Sequence, residues 1–261
     1  MANNLFAKGG SSTKGCKPEH SIIWESIETA GNVRVPDSLK GFFARYASKH
    51  FRDLPWRRSA VSPFHLLLAE VLLVQTKAED VARVWPKLAK TCRSPEALAA
   101  TRKQTLVGLL RPLGLQNQRA ASLKRICNTI IADFGGKLPS TLKGLLLVPH
   151  VGLYTAAAVA CFKFGERVPI VDANVMRVLG RIVGKSVVKD LRRSKEVWTW
   201  AWALLPRKNC SQHNYGILDF ASLVCTPQKP HCERCPLCND CSFGQQQLVA
   251  TRVSCEKGGL G

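Results

Sequence analysis

The feature that most constrains the fold of this chain is a group of cysteines near its C-terminus. Their spacing is C-x6-C-x2-C-x5-C, at Cys225, Cys232, Cys235 and Cys241. Four soft, anionic thiolates in one short loop can hold an iron–sulfur cube. A zinc ion is the alternative, since CxxC pairs also bind zinc. Zinc ribbons place two such pairs far apart, whereas these thiols crowd one segment, so the spacing favours a [4Fe–4S] cluster.

The remaining cysteines argue against a disulfide framework. The chain has 11 cysteines, an odd number, and those outside this loop and its extra thiol Cys238 are scattered. Such usage is typical of a metal site in a reducing compartment. The polar N-terminus has no apolar signal-peptide core, and no apolar run is long enough to span a membrane. We therefore expect an intracellular protein without a membrane partner.

The charge balance predicts a polyanionic partner. Lys and Arg number 38 against 18 acidic residues, which gives a net charge of +20. A field of this strength supplies the sequence-independent part of nucleic-acid binding. We therefore expect the protein to bind nucleic acid; the family resemblance described below implies that it resides with the DNA, in the cytoplasm and nucleoid or in a nucleus.

Apolar residues recur with helical periodicity along most of the chain, and strand patterns are nearly absent. An all-α fold is predicted, with helices over 63–76, 79–91, 102–110, 118–134, 141–147, 155–164, 174–183, 194–205 and 213–224. The segment PFHLLLAEVLLVQT is apolar almost all round, yet it carries Glu70 at its centre. A buried carboxylate is costly unless it is paired or functional, and the segment alone leaves both interpretations open.

A short turn, Val148-Pro149-His150-Val151-Gly152, separates two of the predicted helices. Such a turn can point backbone N–H groups and a helix N-terminus at a DNA phosphate. An ordinary αα-hairpin is the equally good alternative.

Five motifs in this order resemble the helix–hairpin–helix (HhH-GPD) DNA glycosylases that carry an iron–sulfur cluster, a superfamily that includes endonuclease III, MutY-type adenine glycosylases and mismatch-specific thymine glycosylases. The motifs are PFHLLLAEVLLVQT, LGLQNQRAASL, VPHVGLYTAAAV, VPIVDANVMRV and CTPQKPHCERCPLCNDC. The resemblance covers roughly residues 36–243 and implies a two-domain fold, with a six-helix domain and a cluster domain. Its cluster loop matches Cys225 and leaves Cys238 as a spare thiol.

The resemblance also implies roles for three residues in an active site. Asp172 matches the catalytic aspartate, although it could act only as a helix N-cap. Glu70 matches the acid that contacts the leaving base. Tyr154 occupies the position of the Schiff-base lysine of endonuclease III; because a phenol forms no imine, the enzyme is expected to be monofunctional. Lys163, the next lysine along the chain, does not match that motif.

Two departures from the family concern DNA binding. His150 stands where the hairpin usually has glycine, which predicts a strained turn. Val74 replaces a glutamine that relatives often wedge into the DNA stack, and only Gln75 remains. The DNA-binding residues are therefore predicted to be Val148, His150, Val151, Gly152 and Gln75.

The predicted organisation is a flexible basic tail over 1–33, a discontinuous cluster domain over 34–56 and 167–243, a six-helix domain over 57–166, and a C-terminal tail over 244–261. The motifs LGLQNQRAASL and VDANVMRV look closer to the mismatch thymine or uracil glycosylases, a resemblance that implies thymine or uracil excision opposite guanine. The enzyme is also expected to be a monomer. Adenine excision opposite guanine or oxidised guanine is the first alternative, followed by damaged pyrimidines. A non-catalytic iron–sulfur DNA-binding protein is the alternative from another class.

Overall fold

The computed structural model describes residues 21–184 and 194–257. These residues form thirteen α-helices joined by turns and short 3-10 segments, and no strand occurs among them. The helices are α1 Ser21–Ala30, α2 Phe42–His50, α3 Pro63–Leu73, α4 Ala78–Thr91, α5 Pro95–Ala100, α6 Lys103–Leu110, α7 Gln116–Phe134, α8 Leu142–Leu145, α9 Leu153–Phe164, α10 Ala173–Val183, α11 Lys195–Leu204, α12 Cys210–Leu223 and α13 Ser242–Lys257. The predicted all-α class is confirmed.

Local backbone chemistry sets several boundaries that differ from the predicted ones. Helix α3 begins at the Ser62 cap, whose hydroxyl accepts a hydrogen bond from the His65 amide. It ends at Leu73 instead of residue 76, because Gln75 adopts a left-handed φ of 57°. Helix α8 spans only four residues before the chain enters the hairpin turn. A periodic apolar pattern therefore placed these helices but could not locate their ends.

Two segments that the sequence predicted as tails are partly helical. Residues 21–30 form α1 instead of a flexible tail, because Ser26 is buried and Thr29 shares a 2.9 Å hydrogen bond with Thr199 of α11. Residues 1–20 lie outside the described residues. The C-terminal segment contains α13, which begins directly after the last cysteine of the group and packs against α10.

Helix α12 is the central support of the fold. It packs against α2, α10 and α9. The contact with α2 is so close that a Cβ at Gly216 would overlap the Phe43 carbonyl. Helix α3 packs against α9 on the other side. A cleft forms where α3 and α9 face α10 and α12, and it contains the residues described next. No helix among the described residues is long and apolar enough to cross a membrane.

Candidate active site

A cavity of about 320 Å³ opens between these four helices. Glu70, Tyr154 and Asp172, which lie far apart in the sequence, all line it. Its wall also contains Arg52, Leu54, Trp56, Arg57, Leu73, Thr76, Ala78, Phe162, Asn174, Arg177, Tyr215, Leu218, Ala221, Ser222 and Pro227. The structure therefore brings together all three residues that the resemblance assigned to catalysis.

Glu70 is buried in the wall that α3 contributes, with only 3% of its surface exposed. Its Oε2 atom has no hydrogen-bond partner among the described residues. Burial raises the pKa of this carboxyl to about 7, against the opposing effects of Tyr154 and Arg57. A carboxyl with such a pKa can hold a proton near neutral pH and donate it.

Tyr154 lies in the first turn of α9, between the two carboxylates. Burial and the negative charges of Glu70 and Asp172 raise the pKa of its phenol well above the ordinary value. The hydroxyl therefore stays protonated and can donate a hydrogen bond into the cavity. Lys163 lies two and a half turns further along the same helix and is not among the residues that line the cavity.

Asp172 is the N-cap of α10, and the same geometry places it in the cavity. Its Oδ1 accepts hydrogen bonds from the amides of Asn174, at 2.9 Å, and Val175, at 2.7 Å. Its Oδ2 accepts one from the Asn174 side chain at 2.7 Å. The cap and the functional interpretations are therefore compatible, because capping holds the carboxylate in one orientation at the cavity wall.

Asn174 and Arg177 connect Asp172 to the cysteine loop. Arg177 donates to the Asn174 side-chain oxygen at 2.9 Å. The same guanidinium donates to the Cys225 carbonyl at 3.0 Å and to the Ala221 carbonyl at 2.9 Å. A continuous set of hydrogen bonds thus runs from the first cysteine of the loop to the carboxylate. The asparagine and arginine of VDANVMRV were not predicted as site residues.

The segment that leads into Asp172 is held by a buried asparagine of α12. Asn214 accepts a hydrogen bond from the Ile170 amide at 3.2 Å and donates to the Val168 carbonyl at 2.9 Å. These bonds satisfy backbone groups that have no helical partner. Asn214 therefore fixes the irregular chain between α9 and α10.

Arg57 and Asp219 form a buried ion pair beside Glu70. Neither residue was predicted from the sequence. Their atoms Nη1 and Oδ2 are 2.8 Å apart, and the side chains are 6% and 0% exposed. The guanidinium also lies 4.5 Å above the ring of Tyr215, which stacks on Phe162 with ring centroids 3.7 Å apart. Asp219 is the lone acid of α12, but that helix also carries several polar residues, so its sequence does not single out this acid as the apolar α3 singles out Glu70.

The hairpin turn connects α8 to α9 with one residue in an unusual conformation. His150 has a φ of 59°, the left-handed conformation that favours glycine. His150, Gly152 and Gln75 are exposed. Val148 and Val151 are buried, and the Val151 amide donates to the Val148 carbonyl at 3.2 Å within the turn. The predicted DNA-binding role of these five residues stays a prediction.

The cysteine loop encloses a separate, smaller cavity next to α10. All four predicted ligands line it, and so does Cys238. The Arg181 guanidinium donates to the Cys225 sulfur, and the Gly244 amide donates to the Cys241 sulfur at 3.4 Å. No three ligand-type side chains of the described residues converge on one point suitable for a single metal ion.

Comparison with known proteins agrees with this architecture. Residues 68–200 match the HhH-GPD superfamily base excision DNA repair protein family. A thymine/uracil-DNA glycosylase of Methanothermobacter thermautotrophicus is 37% identical over 192 residues, which cover 74% of this chain and 86% of that protein.

Two solved structures extend the agreement to three dimensions. The structure of a thermostable thymine-DNA glycosylase superimposes with a TM-score of 0.73 at 31% identity, covering 88% of this chain and 100% of that one. A trapped endonuclease III–DNA covalent intermediate gives a TM-score of 0.68 at 26% identity, covering 79% of this chain and 95% of that one. With its matched sequence and helical fold, this chain belongs to the HhH-GPD superfamily of base excision DNA repair proteins and is a DNA glycosylase, an enzyme that hydrolyses N-glycosyl bonds.

Proposed function

We propose that this protein is a monofunctional glycosylase that removes thymine or uracil paired with guanine. The observation that carries the proposal is the convergence of Glu70, Tyr154 and Asp172 on one cavity. The similarity to a thymine/uracil-DNA glycosylase over most of that protein supports the choice of base. A base inside a duplex cannot reach this cavity, so the target nucleotide must rotate out of the stack.

Asp172 stabilises the sugar as the bond breaks. Positive charge builds on the deoxyribose, and a fixed carboxylate nearby lowers the energy of that charge. The three hydrogen bonds to Asp172 preorient the carboxylate, so the transition state requires little reorganisation of the site. The oxygen that accepts only the Asn174 side chain is the better placed to orient a water molecule.

Glu70 assists departure of the base. A pyrimidine leaves with negative charge on its ring, and a protonated Glu70 can donate a proton or a hydrogen bond to it. Burial keeps this carboxyl neutral up to a pH of about 7. The Tyr154 hydroxyl, protonated at every physiological pH, hydrogen-bonds Glu70 and helps to hold that carboxyl in place.

Monofunctional chemistry follows from the residue at position 154. A lyase reaction through an imine needs an amine in place of that phenol. Lys163 is half-buried and does not line the cavity. Water is therefore the nucleophile, and the product is an intact strand with an abasic site that breaks only in alkali.

We propose that Cys225, Cys232, Cys235 and Cys241, which all line the second cavity, hold a [4Fe–4S] cluster. A cluster binds four thiolates to four different irons, which suits cysteines that line a cavity without converging on one point. Burial raises the pKa of Cys235 to about 11, so the thiolate needs a cationic partner to form. A bound cluster would order the loop whose Cys225 carbonyl holds Arg177.

DNA contact by the hairpin is the remaining part of the proposal. Neither the His150 nor the Gly152 amide donates to another described residue, and Gly152, the N-cap of α9, supplies no side-chain cap. Free amides at a helix N-terminus can bind a phosphate. We propose that one monomer binds one duplex, with the hairpin on the backbone and the target base in the cavity.

The test is single-turnover cleavage of labelled duplexes that contain G·T, G·U, A·G or adenine opposite oxidised guanine, each with and without hot alkali. Alkali-dependent cuts at T or U are expected. Cleavage at adenine would contradict the proposed specificity for thymine or uracil. Cleavage without alkali would contradict the monofunctional assignment. Iron analysis of the same preparation should give about four irons per chain; stoichiometric zinc would contradict the cluster.

A further inference from the structure

The turn that follows α3 and the turn that precedes α7 both carry an exposed apolar tip. Val74 is 53% exposed and Leu115 is 58% exposed. Each turn contains a left-handed residue: Leu115 itself has a φ of 49°, and Gln75, directly after the extended Val74, has a φ of 57°. A conformation of this kind persists in non-glycine residues only where the surrounding structure holds it.

A single guanidinium holds both turns. Arg119, in the first turn of α7, donates to the carbonyls of Leu72 and Val74, each at 3.2 Å, and to the Thr76 hydroxyl at 2.6 Å. Its Nε donates to the Gly114 carbonyl at 3.1 Å. One planar side chain therefore ties the residues on both sides of Val74 to the residue directly before Leu115.

This tie lies next to the active-site cavity. Leu73, Thr76 and Ala78 line that cavity, so the turn that carries Val74 forms part of its rim. Apolar side chains that enter a duplex unstack its base steps, and a base rotates out more readily from a disturbed stack. Two tips can act on one base step only if their separation is fixed before DNA binds.

We propose that Arg119 is a positioning residue for base flipping, which holds the Val74 and Leu115 tips at a fixed separation beside the cavity. The inference rests on the proposed function, since it assumes that the target base leaves a duplex. Arginine is required for this role because its five donors lie in one rigid plane, whereas the single ammonium of a lysine cannot bond both turns in the same geometry.

Three variants test the role. Arg119→Met removes every donor but keeps the apolar stem, Arg119→Lys keeps the charge, and Arg83→Met removes an equal charge from α4. Arg83 is a suitable control because its side chain is 76% exposed and pairs only locally, with Asp80. Each variant is compared with the wild type on uracil opposite guanine in a duplex and on uracil in an unpaired bubble, where flipping is largely complete.

We expect Arg119→Met to slow excision from the duplex by about 10- to 100-fold, the loss typical of a misplaced positioning group. The same variant should stay within about threefold of the wild type on the bubble, because the chemical step is unaltered. Arg119→Lys should recover only part of the duplex rate, and Arg83→Met should match the wild type. With Asp172→Asn added to prevent cleavage, 2-aminopurine beside the target should brighten less when Arg119 is changed.

Equal losses on duplex and bubble would contradict the proposal, because they would indicate a general structural defect. Full recovery by lysine would also overturn it, since a point charge would then suffice. An unchanged duplex rate in Arg119→Met would do the same. If the wild type excises no base from either substrate, the proposed function itself is contradicted. That result differs from the three outcomes above, in which the wild type is active and only the role of Arg119 is contradicted.

Discussion

The two carboxylates of the cleft differ in how the fold treats them. Glu70 is buried in an apolar helix, and one of its oxygens has no partner among the described residues. Asp172 is half-buried and accepts three hydrogen bonds at a helix N-terminus. Desolvation raises the pKa of the first, whereas the three donors hold the second in one orientation. One cavity therefore gives two carboxyl groups different environments and different tasks.

Different parts of the molecule determine the properties of Glu70 and of Asp172. Glu70 depends on the packing of α3 against α9, which excludes water from the carboxyl. Asp172 depends on hydrogen bonds that lead through Asn174 and Arg177 to the cysteine loop. A change in packing should therefore affect the acid, and a change in the loop should affect the anion.

The largest effect is expected from removing the anion. Asp172→Asn should lower the single-turnover rate on a G·U duplex by about 10³-fold, because an amide cannot stabilise the positive sugar. Affinity for the duplex, measured by gel shift, should change little. An excision rate within tenfold of the wild type would show that Asp172 serves only as a cap.

Removal of the acid should have a smaller effect, and one that depends on pH. Glu70→Gln should reduce the rate by about 10²-fold at pH 6, because the amide cannot transfer a proton. The wild-type rate should fall as pH rises through about 7, the pKa to which burial raises this carboxyl. The variant should lack that decline; a parallel decline would assign it to another group.

Glu70→Gln should also stabilise the folded protein in alkaline solution. The native carboxyl keeps its proton up to a pH of about 7, while the unfolded chain loses it near the ordinary value of 4.5. Stability from this group is therefore complete below pH 4.5 and is lost as pH rises to 7, by about 3 kcal/mol. Thermal unfolding at pH 5 and pH 8 should show a smaller difference in the variant than in the wild type.

Substitution of Arg177, which links the cysteine loop to Asp172, should lower the excision rate less than Asp172→Asn or Glu70→Gln does. Arg177→Met removes the bonds to Asn174 and Cys225 and should slow excision by about tenfold, the effect expected of a group that orients a catalytic residue. Iron content and visible absorption should stay at wild-type levels. Cluster loss in the variant would mean that Arg177 acts on the loop instead of on Asp172.

The smallest effect concerns the hairpin. His150→Gly should raise the free energy of unfolding by about 1 kcal/mol, because glycine adopts a φ of 59° without steric cost. Chemical denaturation measures this change. His150→Ala is the control, because alanine has a Cβ and retains the steric cost of the left-handed conformation. Stabilisation by alanine equal to that by glycine would indicate that the imidazole, not the backbone, is unfavourable.

Much of the candidate site follows from short-range sequence signals. Glu70 is conspicuous because acids are rare in apolar helices, and Asp172 stands where a helix begins. The cysteine spacing and the hairpin turn are also local patterns. Helical periodicity predicted the confirmed all-α class, and the family resemblance that these motifs carry assigned Glu70, Tyr154 and Asp172, which the structure brings to one cavity.

Other features depend on contacts between segments far apart in the chain. Arg57 meets Asp219 across 162 residues, and Arg119 reaches the turn after α3 across about 45. Neither pair shares a local pattern, because packing alone decides which charges meet in a folded core. Helix α1 was missed for the same reason, since Ser26 and Thr29 become favourable in it only against α11. The sequence by itself determined most of the helices and the reactive groups; only the tertiary structure decided their partners, and hence that Glu70 is the carboxyl whose pKa rises.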